Sequence, residues 1–103
     1  MNERYCVMVS QDAKQMLDSH TAFLAQSSEP AAQRLADSAI EAINSLKLMP
    51  SRCPKFLGVS PPLNLYRYLL FGKRYALVFE VKENMVYVDY VVDCRQDYAW
   101  LLT

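Results

Sequence analysis

Glycine, histidine and long apolar runs are all scarce in this sequence of 103 residues. With two glycines and one histidine, the chain has no glycine-rich phosphate loop and no histidine or cysteine cluster for a metal ion. No apolar run approaches the roughly 20 residues of a membrane span, and the N-terminus lacks a basic-then-apolar signal pattern. We therefore predict a cytoplasmic protein that uses no metal or cofactor and contacts no membrane.

Cysteine is also sparse, and its spacing excludes a disulfide framework. Cys6, Cys53 and Cys94 are odd in number and form no Cys-x-x-Cys pair, which favours free thiols in a reducing compartment. We expect these side chains to act as small buried hydrophobes. Cys94 is the exception, because the neighbouring Arg95 would favour its thiolate form.

Apolar side chains, by contrast, are abundant and ordered. They make up 52% of the chain, enough for a packed core within one domain spanning residues 1–103. Residues 4–10 alternate in the manner of a strand and are apolar on both faces, which predicts cover on both sides. Residues 50–63 carry four of the five prolines and predict a loop.

Two stripes of helical spacing follow the first strand and predict an antiparallel helical hairpin, with Ser10 and Ser28 as N-caps. The single histidine lies within the first stripe, where we interpret it as structural. The stripes consist of Ala13, Met16, Leu17, His20, Phe23 and Leu24, and of Ala32, Leu35, Ala36, Ala39, Ile43 and Leu46.

Three strands are predicted after the loop, over residues 65–71, 75–82 and 85–92, with turns at 72–73 and 83–84. A last helix is predicted over residues 95–102. The fold class is therefore α+β, with one mainly antiparallel sheet packed on the helical hairpin. The faces predicted to pack on the helices are Tyr75, Leu77, Phe79 and Val81 in one strand, and Val86, Val88, Tyr90 and Val92 in the next.

Charge is balanced overall but unevenly distributed. Residues 1–51 carry a net charge of −2 and residues 52–103 a net charge of +2. Six basic residues and no acidic one lie between Glu41 and Glu80. Such a stripe suits an anionic backbone or an acidic peptide, whereas a pI near 6.5 argues against strong non-specific binding of nucleic acid.

Three phrases in the second half resemble the RelE/ParE family of bacterial toxins from type II toxin–antitoxin, or plasmid stabilisation, systems. They are Tyr66-Arg67, the run from Gly72 to Val81, and Arg95-Gln96-Asp97-Tyr98. The resemblance covers the order strand, two helices, loop and three strands. It implies a small acidic antitoxin as partner and allows a toxin–antitoxin heterotetramer.

The ribonuclease branch of that family binds RNA through basic residues on the sheet face away from the helices. Guanidinium groups can grip phosphates and stabilise developing charge, and tyrosine can stack on a base or transfer a proton. Departures from the family pattern are Leu69, Ala76 and Asp93. The resemblance implies catalytic roles for Arg67, Arg74, Arg95 and Tyr98, and substrate contacts from Arg52, Lys55, Lys73 and Tyr87.

Three functions are compatible with these residues. The first is a ribosome-dependent mRNA endonuclease, or mRNA interferase, which inhibits translation. The second is a ParE-like inhibitor of DNA gyrase without nuclease activity. The third is a degraded member that only binds an antitoxin.

Overall fold

The sheet has four strands, and both helices pack on one of its faces. The computed structural model describes residues 4–55 and 66–94. Its elements are β1 (Cys6–Val9), α1 (Gln11–Ala25), α2 (Glu29–Ser45), a 3₁₀ turn (Pro50–Arg52), β2 (Arg67–Phe71), β3 (Tyr75–Lys82) and β4 (Met85–Asp93). The strand order is β1-β4-β3-β2, with β1 parallel to β4 and the other pairs antiparallel. The predicted α+β class is confirmed.

Both helices begin at the predicted serine caps. The Ser10 hydroxyl accepts a hydrogen bond from the Ala13 amide at 2.9 Å, and the Ser28 hydroxyl accepts one from the Ala31 amide at 3.1 Å. Each cap satisfies an amide that the helix itself leaves unpaired. The two helices pack against each other as the predicted hairpin. None of the described helices is long and apolar enough to cross a membrane.

The core lies between the hairpin and the inner face of the sheet. Leu46, Leu77 and Phe79 are fully buried there. The histidine is structural, as predicted: His20 Nε2 donates to the Val91 carbonyl at 3.0 Å, and the ring lies 5.2 Å from that of Tyr75. The predicted burial of Phe23 is wrong, because 64% of it is exposed near the end of α1.

The prediction that β1 is covered on both faces is also wrong. Cys6 is exposed and Met8 is 54% exposed, while Val7 and Val9 pack against the core. The physical reason is that β1 forms an edge of the sheet and the helices cover one face only. An edge strand buries one set of alternating side chains and leaves the other in water.

A β-bulge in β4 changes which of its side chains face the helices. Val78 lies opposite Tyr90, whereas Phe79 lies opposite Val88, so Asp89 is an extra residue in the ladder. Successive side chains of a strand point to opposite faces of the sheet, so an extra residue exchanges the faces of all the side chains that follow it. Val91 is therefore buried in the core beneath the helices, and Tyr90 packs with the cluster on the opposite face. The predicted inward orientation of Tyr90 and Val92 is wrong for this reason.

The free edge of β2 is partly covered by the segment that follows α2. The Tyr68 amide donates to the Pro54 carbonyl at 3.1 Å, and Lys55 forms an isolated antiparallel bridge with Arg67. Met49 adopts a left-handed backbone, with φ of 51°, as the chain enters the 3₁₀ turn. The predicted last helix lies outside the described residues, and so does residue 65 of the predicted strand 65–71, which begins at Arg67 in the structure.

Candidate functional site

The sheet face turned away from α1 and α2, here called the far face, is apolar and aromatic at its centre. Ala76, Val78 and Val92 are at most 3% exposed, and they pack with tyrosines from β4 and from the start of β2. The resemblance to RelE/ParE toxins had instead implied basic residues on this face. The tyrosines of this cluster are Tyr66, Tyr68 and Tyr90.

The polar groups of the far face are mostly paired with one another. The Tyr66 hydroxyl donates to Asp89 Oδ2 at 2.7 Å, and the Tyr66 ring packs edge-on against Tyr90 at 5.9 Å. Burial and the hydrogen bond to Asp89 raise the pKa of Tyr66 well above its ordinary value. Lys82 Nζ lies 3.0 Å from Glu80 Oε1. Sequence reasoning missed the Tyr66–Asp89 pair, because the bulge that creates it leaves no local pattern.

Arg67 lies on the opposite side of the sheet from its predicted position. It pairs with Phe79, whose side chain is in the core beneath the helices, and its Nη1 donates to the Cys53 carbonyl at 2.6 Å. Placing Arg67 on the far face was wrong. The apolar alternation of Leu69 and Phe71, which share its face, was the signal in the sequence that would have corrected it.

Arg74 likewise points away from the centre of the far face. Its guanidinium lies 5.5 Å from the centre of the Tyr75 ring, and its Nε is 3.9 Å from Asp93 Oδ2. Tyr75 and Asp93 face each other across β3 and β4 and are both buried. Because Arg67 lies opposite Phe79, the backbones of the two arginines are separated by about 16 Å along the sheet. This separation and their different partners argue against one shared phosphate site.

The remaining predicted site residues do not converge on one place. Arg52 donates from Nη1 to the carbonyls of Leu48 and Met49 at 3.0 and 3.1 Å, which stabilises the segment between α2 and the 3₁₀ turn. Lys55 and Lys73 are exposed, at opposite ends of β2. Tyr87 lies opposite Glu80 on the far face. Arg95 and Tyr98 fall outside the described residues.

The thiols of Cys53 and Cys94 are less acidic than their neighbours in the sequence suggest. Burial, and next the carboxylate of Asp93, raise the pKa of Cys94, so the predicted shift toward thiolate is wrong. Burial also raises the pKa of Cys53, although Arg52 and Arg67 oppose the change. Within residues 4–55 and 66–94, no group of three or more His, Cys, Asp or Glu residues is placed to hold a metal ion.

Comparison with known families decides the identity of the chain. A model described as the ParE toxin of the type II toxin–antitoxin system parDE matches residues 7–98. The chain belongs to the ParE toxin family. Its predicted resemblance to RelE/ParE toxins is thereby confirmed, and so is its assignment to type II toxins.

Solved structures give the same fold for this ParE-family toxin. The chromosomal ParDE TA system from P. aeruginosa matches with a TM-score of 0.72, covering 88% of this chain and 97% of that one. The sequence identity is 14%, so this match supports the fold alone. No curated protein sequence matches at a significant level.

Proposed function

We propose that this ParE toxin arrests growth by binding DNA gyrase and not by cleaving RNA. The observation that carries the proposal is the position of Arg67, whose guanidinium is hydrogen-bonded to the Cys53 carbonyl on the helical side of the sheet. In the ribonuclease hypothesis, Arg67 and Arg74 hold phosphates together on the far face. Their separation and their existing partners favour the binding hypothesis.

The chemistry of the far face supports the same proposal. Its centre is apolar. The polar side chains around it are paired, Tyr66 with Asp89 and Glu80 with Lys82. The Asp89 carboxylate would repel an RNA backbone and the Glu80–Lys82 pair is neutral, whereas a partly exposed aromatic face is typical of protein interfaces. Membership of the ParE family adds weight, because the gyrase hypothesis is the one associated with ParE.

A type II toxin has an antitoxin that holds it inactive, and we propose that this chain binds one encoded by a neighbouring gene. The six basic residues between Glu41 and Glu80, a segment that contains no acidic residue, suit an acidic antitoxin. Because the antitoxin and DNA gyrase are both cytoplasmic, we propose that the toxin acts in the cytoplasm.

Induction of the toxin in growing cells distinguishes the three functions. We expect growth arrest, loss of negative supercoiling in a reporter plasmid, and intact mRNA when 5′ ends are mapped. Arrest with new mRNA ends on ribosomes and normal supercoiling would select the ribonuclease function. Cells that continue to grow would indicate a member that only binds an antitoxin.

The Arg67→Ala variant sharpens this experiment. We expect it to be less stable by about 1.5–3 kcal/mol, the range for a hydrogen bond to a charged group, yet to arrest growth at temperatures where it remains folded. A ribonuclease that used Arg67 would lose on the order of 10² in rate or more. Arg4→Ala is the matched control, because Arg4 is exposed beside the opposite edge of the sheet.

A further inference from the structure

A basic groove runs between the first half of α2 and the turn that joins β2 to β3. It encloses about 410 Å³. Gly72, Lys73 and Arg74 form one side, and α2 forms the other. The residues that line it from the helices are Leu24, Ala31, Arg34, Leu35 and Ser38, and Tyr75 completes its wall.

The floor of the groove is apolar and firmly built. Leu35 and Tyr75 are each 4% exposed. Gly72 has a left-handed backbone with φ of +58°, and a Cβ at this position would lie 3.0 Å from Leu35 Cδ1. Because Gly72 has no side chain, the turn packs directly against α2. This close approach holds the two walls of the groove at a fixed separation.

The rim of the groove is strongly cationic. Arg34, Lys73 and Arg74 contribute three positive charges, and none of the residues lining the groove is acidic. Among the described residues, Arg74 is near one carboxylate, that of Asp93 at 3.9 Å. Asp37, one turn after Arg34 on α2, accepts a hydrogen bond from Gln33 at 3.1 Å. The exposed Arg34 and Lys73 form no ion pair in the described part of the chain, so their charges are available to a ligand.

An apolar floor below a cationic rim selects one class of ligand. We propose that the groove docks an amphipathic acidic segment of the antitoxin, with apolar side chains against Leu24 and Leu35 and carboxylates against Arg34 and Lys73. A nucleic-acid backbone would satisfy the rim and leave the apolar floor unused, and the chain has a net charge of zero. The inference rests on the proposed antitoxin partner and is independent of whether the target is gyrase.

Charge reversal in the groove tests this docking site. The probe is the purified antitoxin from the adjacent open reading frame, and the measurement is its dissociation constant at low and moderate salt. We expect Arg34→Glu with Lys73→Glu to weaken binding about 100-fold, roughly tenfold for each reversed contact, and to reduce the salt dependence. The matched control, Arg4→Glu with Lys14→Glu, makes the same charge change outside the groove and should stay within about threefold of wild type.

Several results would overturn the proposal. One is an equal affinity of the groove variant and the control variant for the antitoxin. Another is a wild-type toxin that does not bind the antitoxin. Loss of binding to a single-stranded oligonucleotide in the groove variant, with antitoxin affinity unchanged, would assign the groove to nucleic acid instead. The double variant Arg34→Gln with Lys73→Gln removes both charges without reversing them. Thermal unfolding of this variant shows whether it is folded, so that an affinity lost with the charges is distinguished from an affinity lost by unfolding. Supercoiling inhibition by the free wild-type toxin is measured separately, so failure of the gyrase proposal is distinguishable.

Discussion

The Tyr66–Asp89 hydrogen bond determines the chemistry of the far face at the scale of single residues. With its pKa raised, the Tyr66 phenol is neutral at physiological pH and acts as a hydrogen-bond donor. A neutral phenol committed to a carboxylate is a poor general base. Asp89 in turn is satisfied by Tyr66. The pair therefore links the start of β2 to the bulge of β4, and the phenol of Tyr66 is not a free base for RNA cleavage.

The raised pKa of Tyr66 predicts a specific pH dependence of stability. A group that binds its proton more tightly when folded contributes stability below its unfolded pKa, near 10, which is lost as the pH rises through the folded value. We expect the free energy of unfolding to fall more steeply above pH 10 in wild type than in Tyr66→Phe. At neutral pH the variant should be less stable by about 1 kcal/mol.

Urea unfolding at neutral and alkaline pH checks this expectation. Tyr87→Phe is the matched control, since Tyr87 is also a far-face tyrosine and it is Tyr66 that donates to the Asp89 carboxylate. An identical alkaline decline in wild type and Tyr66→Phe would show that the phenol does not hold its proton more tightly in the folded state.

At the scale of elements, the two serine caps differ in what they connect. Ser28 caps α2 and makes a purely local contact. Ser10 caps α1 and also donates from its hydroxyl to the Asp89 carbonyl at 3.2 Å. Ser10 therefore joins the first helix to the bulge of β4, so one side chain links local helix initiation to the sheet.

This difference predicts unequal costs for the same substitution. We expect Ser28→Ala to lower the free energy of unfolding by about 1 kcal/mol, the usual value of an N-cap. Ser10→Ala should cost about 2 kcal/mol, because it also removes the hydrogen bond to the bulge. Chemical denaturation of the two variants measures both values. Equal costs would mean that the contact with Asp89 adds nothing to stability.

The elements also show how far sequence reasoning reaches. Caps, helix periodicity and the turns after Phe71 and Lys82 are local, so the helical hairpin and the β2–β3–β4 meander could be predicted. The inward position of Arg67 could have been predicted from the apolar residues that share its face, Leu69 and Phe71. The bulge at Asp89 and the exposure of Met8 at a sheet edge depend instead on which strand lies beside which. Those pairings are made over long sequence distances, and no local pattern encodes them. The orientations predicted for Tyr90 and Val92 were wrong for that reason.

At the scale of the whole molecule, charge and apolar surface are segregated. The cations of the β2–β3 turn and of α2 gather at the basic groove, whereas the far face is aromatic and carries paired charges. A net charge of zero removes general attraction to nucleic acid and leaves local complementarity to decide binding. This segregation is consistent with the two protein-binding surfaces that we propose, the groove for the antitoxin and the far face for the target.

Inhibition of purified DNA gyrase tests this account most directly. Relaxed plasmid, gyrase and ATP are incubated with increasing amounts of the purified toxin, and supercoiling is measured by gel electrophoresis. We predict that supercoiling stops as the toxin is added and resumes when purified antitoxin is supplied in excess. Full supercoiling at a large excess of folded toxin, together with cleavage of ribosome-bound mRNA by the same preparation, would contradict it.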